Sequence, residues 1–440
     1  MQMATQKLQS NTSAMAAIVG CAALGLVATI IGMEQPLIGA GIAYVIIFLI
    51  IAWRRPDIAL MLCFAGAPLQ NDLSGDQNTE SHGKFSLAEI NIVLTCVIFL
   101  ARRIQTRKMI SLGPVGIPMA AYFAVCIFSS IQSFRDITII SMIQMVLYLV
   151  ITFVVFAQLM PLGTDFHLCF YALILVGTFL ASAALATNTT YILGLHKNGV
   201  GSSIASALVV GIETWSMRKK MRYRWLVGVA ILVMAGGLLH TLSRGAWLST
   251  VTGLITISLV RRDFKKLIRL GMILGPLVAI CWYALPDASK EYAMGFDAQR
   301  ANIAARYNSM YFALDKFNQS PIYGLGVGLR KEYDATNIVF ATLAETGVVG
   351  LASFLMIHIV FLVTMAKTQL QLTLHDPVYS LPGLGAGLLV GKLCNGMVDH
   401  YWSRGALTMA WAAAGMGLSA YWYVRRRKVL LARMKTGVMR

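Results

Sequence analysis

Arg244 stands between two strongly apolar runs in the stretch LHTLSRGAWLST, residues 239–250. An arginine beside an apolar span marks a functional site or an ion pair, because desolvating a guanidinium is costly. The SRG turn holds no acid, and the nearest carboxylates in sequence are Glu213 and Asp263. A planar fork of donors with no local acid suits an external anion, phosphate above all, which it grips bidentately. The plainer alternative is an arginine that snorkels to lipid headgroups. His240 lies one helical turn earlier and can share a face with Arg244 as an orienting or packing residue. Further along, Arg300, Arg306, Arg330 and Lys331 fall in one long loop. Two such arginines can neutralise both phosphates of a pyrophosphate.

Groups able to move a proton are fewer. In DHYWSRG, His400 stands beside Asp399 with Arg404 close behind, and the pair is the candidate general base. Tyr401 and Trp402 also fit an aromatic belt, in which His400 would be merely solvated. His196, His240, Glu332 and Asp334 are other candidates. Lys392 and Asn395 lie within an apolar run, where a lysine is expensive unless paired or near a cavity. The seven histidines are scattered, and no HxxxH, ExxH or DxD pair accompanies them, so no metal site is expected. None of the seven cysteines has CxxC spacing, which leaves no thiolate site or disulfide framework.

The elements that must position these residues follow from composition. The chain is 57% hydrophobic and 13% charged over 440 residues, which excludes a soluble globular protein. Apolar runs lie near 14–33, 36–53, 57–70, 86–101, 113–131, 137–159, 167–186, 200–216, 225–241, 245–260, 270–286, 336–366, 379–397 and 405–424. At roughly 20 residues per crossing they predict an all-α polytopic membrane protein of about 12–14 transmembrane helices. The first run is full length and lacks a cleavage site, so it reads as an uncleaved span. Basic clusters at 54–55, 102–108, 218–224, 261–269 and from 425 fall on one side, which predicts that both termini are cytoplasmic. The net charge of +18 is thus a topology signal, and no nucleic acid is needed to explain it.

The expected organisation is a bundle of N-terminal spans at 1–286, a long outer loop at 287–335, C-terminal spans at 336–424 and a basic tail at 425–440. A loop of that length is commonly functional. Within it Ile303, Tyr307, Met310, Leu314 and Phe317 recur at helical spacing, which predicts an amphipathic helix in the outer interface or a plain packing helix. The following SPIYGLGVG lacks the strand–turn–helix setting of a dinucleotide loop and is a weak phosphate signal. No internal repeat or matched pair of broken spans points to a transporter.

Four stretches in order resemble the bacterial O-antigen ligase and polymerase family. They are GLHKNGVGSSIA (194–205), TLSRGAWLS (241–249), RYNSMYFALDKFNQSPIYGLGVG (306–328) and TNIVFATLAETGVVGL (336–351). The first resembles the exopolysaccharide-polymerase branch. The resemblance implies a metal-independent, cofactor-free glycosyltransferase of the bacterial inner membrane that works at the periplasmic face. Its donor would be a glycan on undecaprenyl pyrophosphate, and its acceptor a sugar hydroxyl. Membrane lipids, a chain-length regulator and export machinery are the other partners implied. Arg244 and Arg306 would bind the pyrophosphate, and His196, Lys197, Asn198, His240, Thr336, Asn337 and Glu345 would line the substrate site. One departure matters: where the family has histidine before the asparagine, this chain has Thr336. Either the base is elsewhere, or the reaction depends little on one, or this member is inactive or acts on something different. A polymerase is the leading expectation, a ligase to lipid A core the second, and a non-enzymatic flippase or exporter the third.

Overall fold

Every apolar run from residue 36 onward lies on a helix, as a bilayer demands of a backbone that cannot turn to water for its hydrogen bonds. The structure, a computed structural model, describes residues 36–69, 86–131, 133–160, 166–187, 191–192, 195–217, 223–284, 287, 290, 301–333 and 335–435. The expected span at 14–33, the loop at 71–84, Arg300 and Asp334 lie outside the described residues, as does the side chain of Arg404.

The helices are α1 (Pro36–Arg54), α2 (Pro56–Gly66), α3 (Leu87–Thr106), α4 (Gly116–Ile131), α5 (Asp136–Met145), α6 (Thr152–Gln158), α7 (His167–Ala186) and α8 (Lys197–Met217). They continue with α9 (Arg224–His240), α10 (Arg244–Arg261), α11 (Phe264–Ala284), α12 (Ala301–Gln319), α13 (Ile338–Gln369), α14 (Leu381–Asn395) and α15 (Arg404–Lys435). A π-helical segment, Val146–Ile151, joins α5 to α6 without a break in direction. A small antiparallel hairpin, β1 (Tyr191–Ile192) with β2 (Leu195–His196), leads into α8. The chain is an all-α polytopic membrane protein. Among the described residues, five segments are long and apolar enough to cross a bilayer by length and composition: Gly113–Ile131, Asp136–Gln158, His167–Ala186, Lys197–Met217 and Ile338–Gln369.

Residues of two basic clusters tie helix ends to their neighbours. Arg103 at the end of α3 donates to Gln158 Oε1 at the end of α6 (2.9 Å), and Arg102 reaches the Trp53 carbonyl of α1. Arg261, the last residue of α10, lies 2.5 Å from Glu213 of α8 with both side chains almost fully buried, and donates to Ser380 O at the head of α14 (3.2 Å). The Arg261–Glu213 contact is close but off the line of a hydrogen bond, so its attraction is chiefly charge on charge. Arg244 begins the opposite end of that same helix.

What fixes α10 against α14 is a row of small residues. On α14, Gly383, Gly387, Gly391 and Asn395 recur every four residues; on α10, Gly245, Ser249, Gly253 and Ile257 do the same. They meet in antiparallel register. A Cβ on Gly387 would stand 2.7 Å from Gly253 O, one on Gly391 2.7 Å from Ser249 O, and one on Gly245 2.4 Å from Asn395 Oδ1. Small residues at this spacing let two membrane helices bring their backbones together, which is where packing between them gains its energy. Each four-residue step is a new tooth, so α10 cannot slide along α14 without clashes, and the height of Arg244 is set.

Gly387→Leu should therefore cost at least about 2 kcal/mol through overpacking against backbone. Gly41→Leu, at a position with nothing within 4 Å of the added carbon, should cost far less. Apparent thermal midpoints of the two variants in detergent check this, and equal midpoints would dismiss the interlocked register.

Candidate active site

The Arg244 turn is built by two residues that cannot continue α9. Leu242 takes a left-handed backbone (φ 53°), and Ser243 precedes α10 with extended geometry and no side-chain cap. The first-turn amides of α10 thus receive no bond from their N-cap side chain, and the half-buried Arg244 sits at their head. Amides at a helix N-terminus and a guanidinium both favour an anion. The turn is held by Trp247 Nε1, which donates to Leu238 O (3.0 Å), and by His240, whose Nε2 donates to Thr187 O at the end of α7 (3.1 Å). His240 thereby holds the turn to the end of α7.

Two other helix N-termini join this one around the end of α14. The α8 head lies against the turn: a Cβ on Gly201 would stand 3.0 Å from both Ser243 Cβ and Thr241 Oγ1. Asn395 Nδ2 donates to Ser202 Oγ (3.1 Å), which ties α8 to α14 just below. His196 caps α8, its Nδ1 accepting from Asn198 N (3.3 Å), and its ring meets Tyr191 edge-on. The structure thus brings His196, Lys197 and Asn198 to the neighbourhood of Arg244, with His196 serving the helix.

The head of α13 arrives from the other side. Asn337 Oδ1 accepts from Val339 N (2.9 Å) and Phe340 N (3.3 Å), while its Nδ2 donates to Met397 O (2.9 Å). Ile338 N donates to Gly396 O (2.7 Å). Asn337 was expected as a substrate ligand; its amide instead caps α13 and clamps it to the turn after α14. Thr336 is buried, and its backbone N–H points at Ser309 Oγ on α12 (3.4 Å).

The amphipathic stretch before α13 is α12, and its buried face departs from the expected stripe at Tyr307. Ser309 and Ala313 are its deepest residues together with Ile303, while Tyr307 is 47% exposed. The helix packs on α13, as the plainer alternative had it, because the small side chains Ser309 and Ala313 allow a closer approach than tyrosine would. Arg306, half-buried, precedes Ser309 by one turn on this inward side, and among the described residues no carboxylate lies within ion-pair distance of it.

Glu345 requires a correction. It was expected to line the substrate site, yet it is 0% exposed and its carboxylate is fully engaged. Oε1 accepts from Gly328 N (3.0 Å), Arg330 N (2.9 Å) and Arg330 Nε (2.8 Å), and Oε2 pairs with Arg330 Nη2. Burial works against the Arg330 charge, and the Glu345 carboxylate more than restores it, raising its pKa above the ordinary arginine value. A carboxylate placed toward a pyrophosphate would also repel it. The GLGVG turn does cradle an anion with backbone amides, but the anion is Glu345 of its own chain.

That cradle closes a gap in α13. The helix breaks at Gly347 (φ 65°, ψ −167°), which leaves N–H groups and carbonyls on either side without intrahelical partners. Loop backbone replaces them: Leu325 N donates to Ala344 O and Gly326 N to Glu345 O (2.9 Å each), while Val348 N donates to Pro321 O (2.9 Å) and Val349 N to Ile322 O (3.4 Å). Only glycine fits on both sides, since a Cβ on Gly347 would lie 2.2 Å from Ile322 O and one on Gly324 2.3 Å from the Glu345 carbonyl carbon. Three serines at the end of α4 hold the loop from behind. Ser129 Oγ donates to Glu345 O (2.6 Å) and accepts from Gly326 N (2.9 Å), Ser130 Oγ accepts from Val327 N (3.2 Å), and Ser133 reaches Leu325 O. Sequence reasoning missed these serines; polar residues crowded at the close of an apolar run, FSSIQS, were the available signal.

The turn at 396–403 completes the cluster. Asp399 Oδ1 accepts the backbone N–H of His400 (2.9 Å), and His400 is exposed. Trp402 lies under the Arg330 guanidinium, 4.1 Å from ring centroid to carbon, which links this turn to the loop in the α13 break.

Compared with known proteins, residues 229–355 match the family model described as O-antigen ligase. The match begins in α9, takes in the Arg244 turn, α12 and the broken part of α13, and ends just beyond Gly350. A search of curated proteins finds no match.

The interlock predicts an asymmetry. Glu345→Ala leaves a buried guanidinium unpaired and should destabilise by about 3–5 kcal/mol. Glu345→Gln combined with Arg330→Met removes both charges and should cost less than Glu345→Ala alone. Denaturant or thermal unfolding in detergent decides it; a double variant as unstable as the single one would refute the pairing.

Proposed function

We propose, on the premise that this chain carries a domain of the O-antigen ligase family over residues 229–355, that it is a polysaccharide polymerase. It would transfer glycan repeat units from undecaprenyl pyrophosphate to a sugar hydroxyl at the periplasmic face of the bacterial inner membrane. The observation that carries this reading is the Arg244 turn: a guanidinium at the head of a helix whose first amides have no side-chain cap. Such a position offers charge and aligned N–H groups to one phosphoryl group. Arg306, one turn from the Ser309–Thr336 contact, offers a second cation near the head of α13.

The chemistry asks little more. The acceptor oxygen attacks the anomeric carbon of the donor glycan, the bond from that carbon to the pyrophosphate oxygen breaks, and the lipid pyrophosphate leaves with the electron pair. Arginines that neutralise the leaving charge and walls that orient the hydroxyl supply most of the acceleration. The acceptor proton passes to a base, for which the Asp399–His400 turn is our candidate in place of Thr336. No metal is required, because the two guanidinium groups take the role of charge neutralisation.

A ligase that transfers the glycan to lipid A core is the second reading, favoured by the description of the matching family model. A flippase would need charged side chains forming a path through the spans. Glu89 is taken up by a capping box with Ser86 and by Tyr148, Glu213 by Arg261, Glu345 by Arg330, and Lys392 by His400 O and Ser403 Oγ. Each is absorbed locally, which favours the enzyme.

Complementation of a deletion strain, with polymer length read on a gel, tests the reading. Arg244→Ala and Arg306→Ala should express normally, make no polymer and leave single repeats on lipid, and His400→Ala should reduce polymer roughly 10²-fold or more if it is the base. Thr336→His should at least retain activity. Arginine variants that behave like wild type would end the pyrophosphate-site assignment. Purified protein given lipid-linked repeats alone should lengthen them; product only after addition of lipid A core would make it a ligase.

A further inference from the structure

Lys392 is a buried lysine whose bonds all run forward along the chain. It lies in the last turn of α14 and is only 4% exposed. Its Nζ reaches past the helix end to donate to His400 O (2.8 Å) and to Ser403 Oγ (2.7 Å). Among the described residues no carboxylate lies within ion-pair distance of it. An ammonium in such surroundings is tolerated only with good acceptors, and here both acceptors belong to the turn. An apolar side chain of similar volume would pack the helix as well or better, but it could not hold a carbonyl.

The turn needs such a hold. Residues 396–403 fold back on α14: Tyr401 is 1% exposed and lies where a Gly396 side chain would be, 2.6 Å from its Cβ. The Lys392 ammonium approaches the Tyr401 ring at 5.7 Å on the way to His400 O. With Tyr401 driven inward, its neighbours Asp399 and His400 are turned toward the surface. The same turn gives Gly396 O and Met397 O to the head of α13 and Trp402 to Arg330.

We propose that Lys392 is a positioning residue: its ammonium pins the 396–403 turn from beneath, so that Asp399 and His400 face the site while the Thr336–Asn337 head of α13 keeps its seat. The functional half of this rests on the glycan-transfer reading; the structural half does not. Lys392 does not touch substrate. It acts through His400 and Asn337.

The test uses the full-length protein in detergent or proteoliposomes with Lys392→Met, Lys392→Arg and the milder Ser403→Ala. Hydrogen exchange is read at residues 397–403, and turnover is read with lipid-linked repeats. In Lys392→Met, loss of a charge-assisted bond should speed exchange of the turn by about tenfold or more, while the buried amides of α14 remain protected. The maximal rate should fall by a similar factor with KM for the lipid-linked donor within about twofold, the pattern of a lost transition-state contact. Lys392→Arg should recover part of both losses, and Ser403→Ala should fall between wild type and Lys392→Met. Unchanged exchange in Lys392→Met would overturn the pin, and faster exchange with an unchanged rate would overturn the positioning role. A raised donor KM at constant maximal rate would overturn it in favour of direct substrate binding. If wild type yields no product with lipid-linked repeats, with or without lipid A core, the glycan-transfer reading falls, and exchange alone decides whether Lys392 holds the turn.

Discussion

A helix interrupted inside a membrane protein leaves backbone donors and acceptors that water is not there to satisfy, and the break at Gly347 imposes that constraint on everything around it. Each carbonyl on one side and each N–H on the other must find a partner, and residues 321–326 supply them from the loop. The exchange is strict. It demands a left-handed glycine in the helix, a facing glycine in the loop, and serines at the end of α4 to take the remaining groups. Glu345 then adds its own carboxylate, accepting two loop amides and the Arg330 fork. Hydrogen bonds to a charged group are the stronger kind, about 1.5–3 kcal/mol each. The loop between α12 and α13 is therefore a structural part of the bundle, anchored where α13 is broken.

The two arginines proposed to bind pyrophosphate owe their places to different physics. Arg244 is set by close packing, since the glycine teeth of α10 and α14 allow one height only. Arg306 is set by hydrogen bonding, since α12 runs directly into the segment that fills the break. The two mechanisms meet at the end of α14, where Asn395 holds α8 and the carbonyls of Gly396 and Met397 hold α13. Three helix N-termini gather there, each carrying a partial positive charge of roughly half a unit. Those of α8 and α13 are capped by His196 and Asn337, and only that of α10 lacks a side-chain cap. The electrostatic asymmetry of the cluster thus points at Arg244.

The all-α membrane fold, and the helix that precedes α13, were legible because hydrophobic runs and helical periodicity are local properties of the chain. The arginine turn was legible too, since a charge between apolar runs violates the pattern. What stayed hidden depends on distant pairing. Glu345 and Arg330 were each conspicuous, but nothing local says that they meet across a broken helix. Asn337 was taken as a ligand when its spacing, two and three residues before Val339 and Phe340, also fits an N-cap. The α12 stripe was read with Tyr307 inward because periodicity counts apolar residues and ignores how closely two backbones can approach. Small residues decided that face instead, as they did along α14.

The substitution at Thr336 is easier to understand in this setting. Position 336 is a buried joint between α12 and α13, with its backbone facing Ser309. A residue there contributes to holding Arg306 near the head of α13 whatever its side chain can do with a proton. On the glycan-transfer reading, polyprenyl pyrophosphate leaves readily once its charge is neutralised, so a general base adds a factor of about 10²–10⁴ to a reaction whose main demand is met by cations. That factor can be supplied from a neighbouring element if the element is tied to the same joint. The Asp399–His400 turn is so tied, through Met397 O and Asn337. On the glycan-transfer reading, a base lost at 336 is therefore replaceable at 400 without moving either arginine, because both positions are registered on the same capping asparagine.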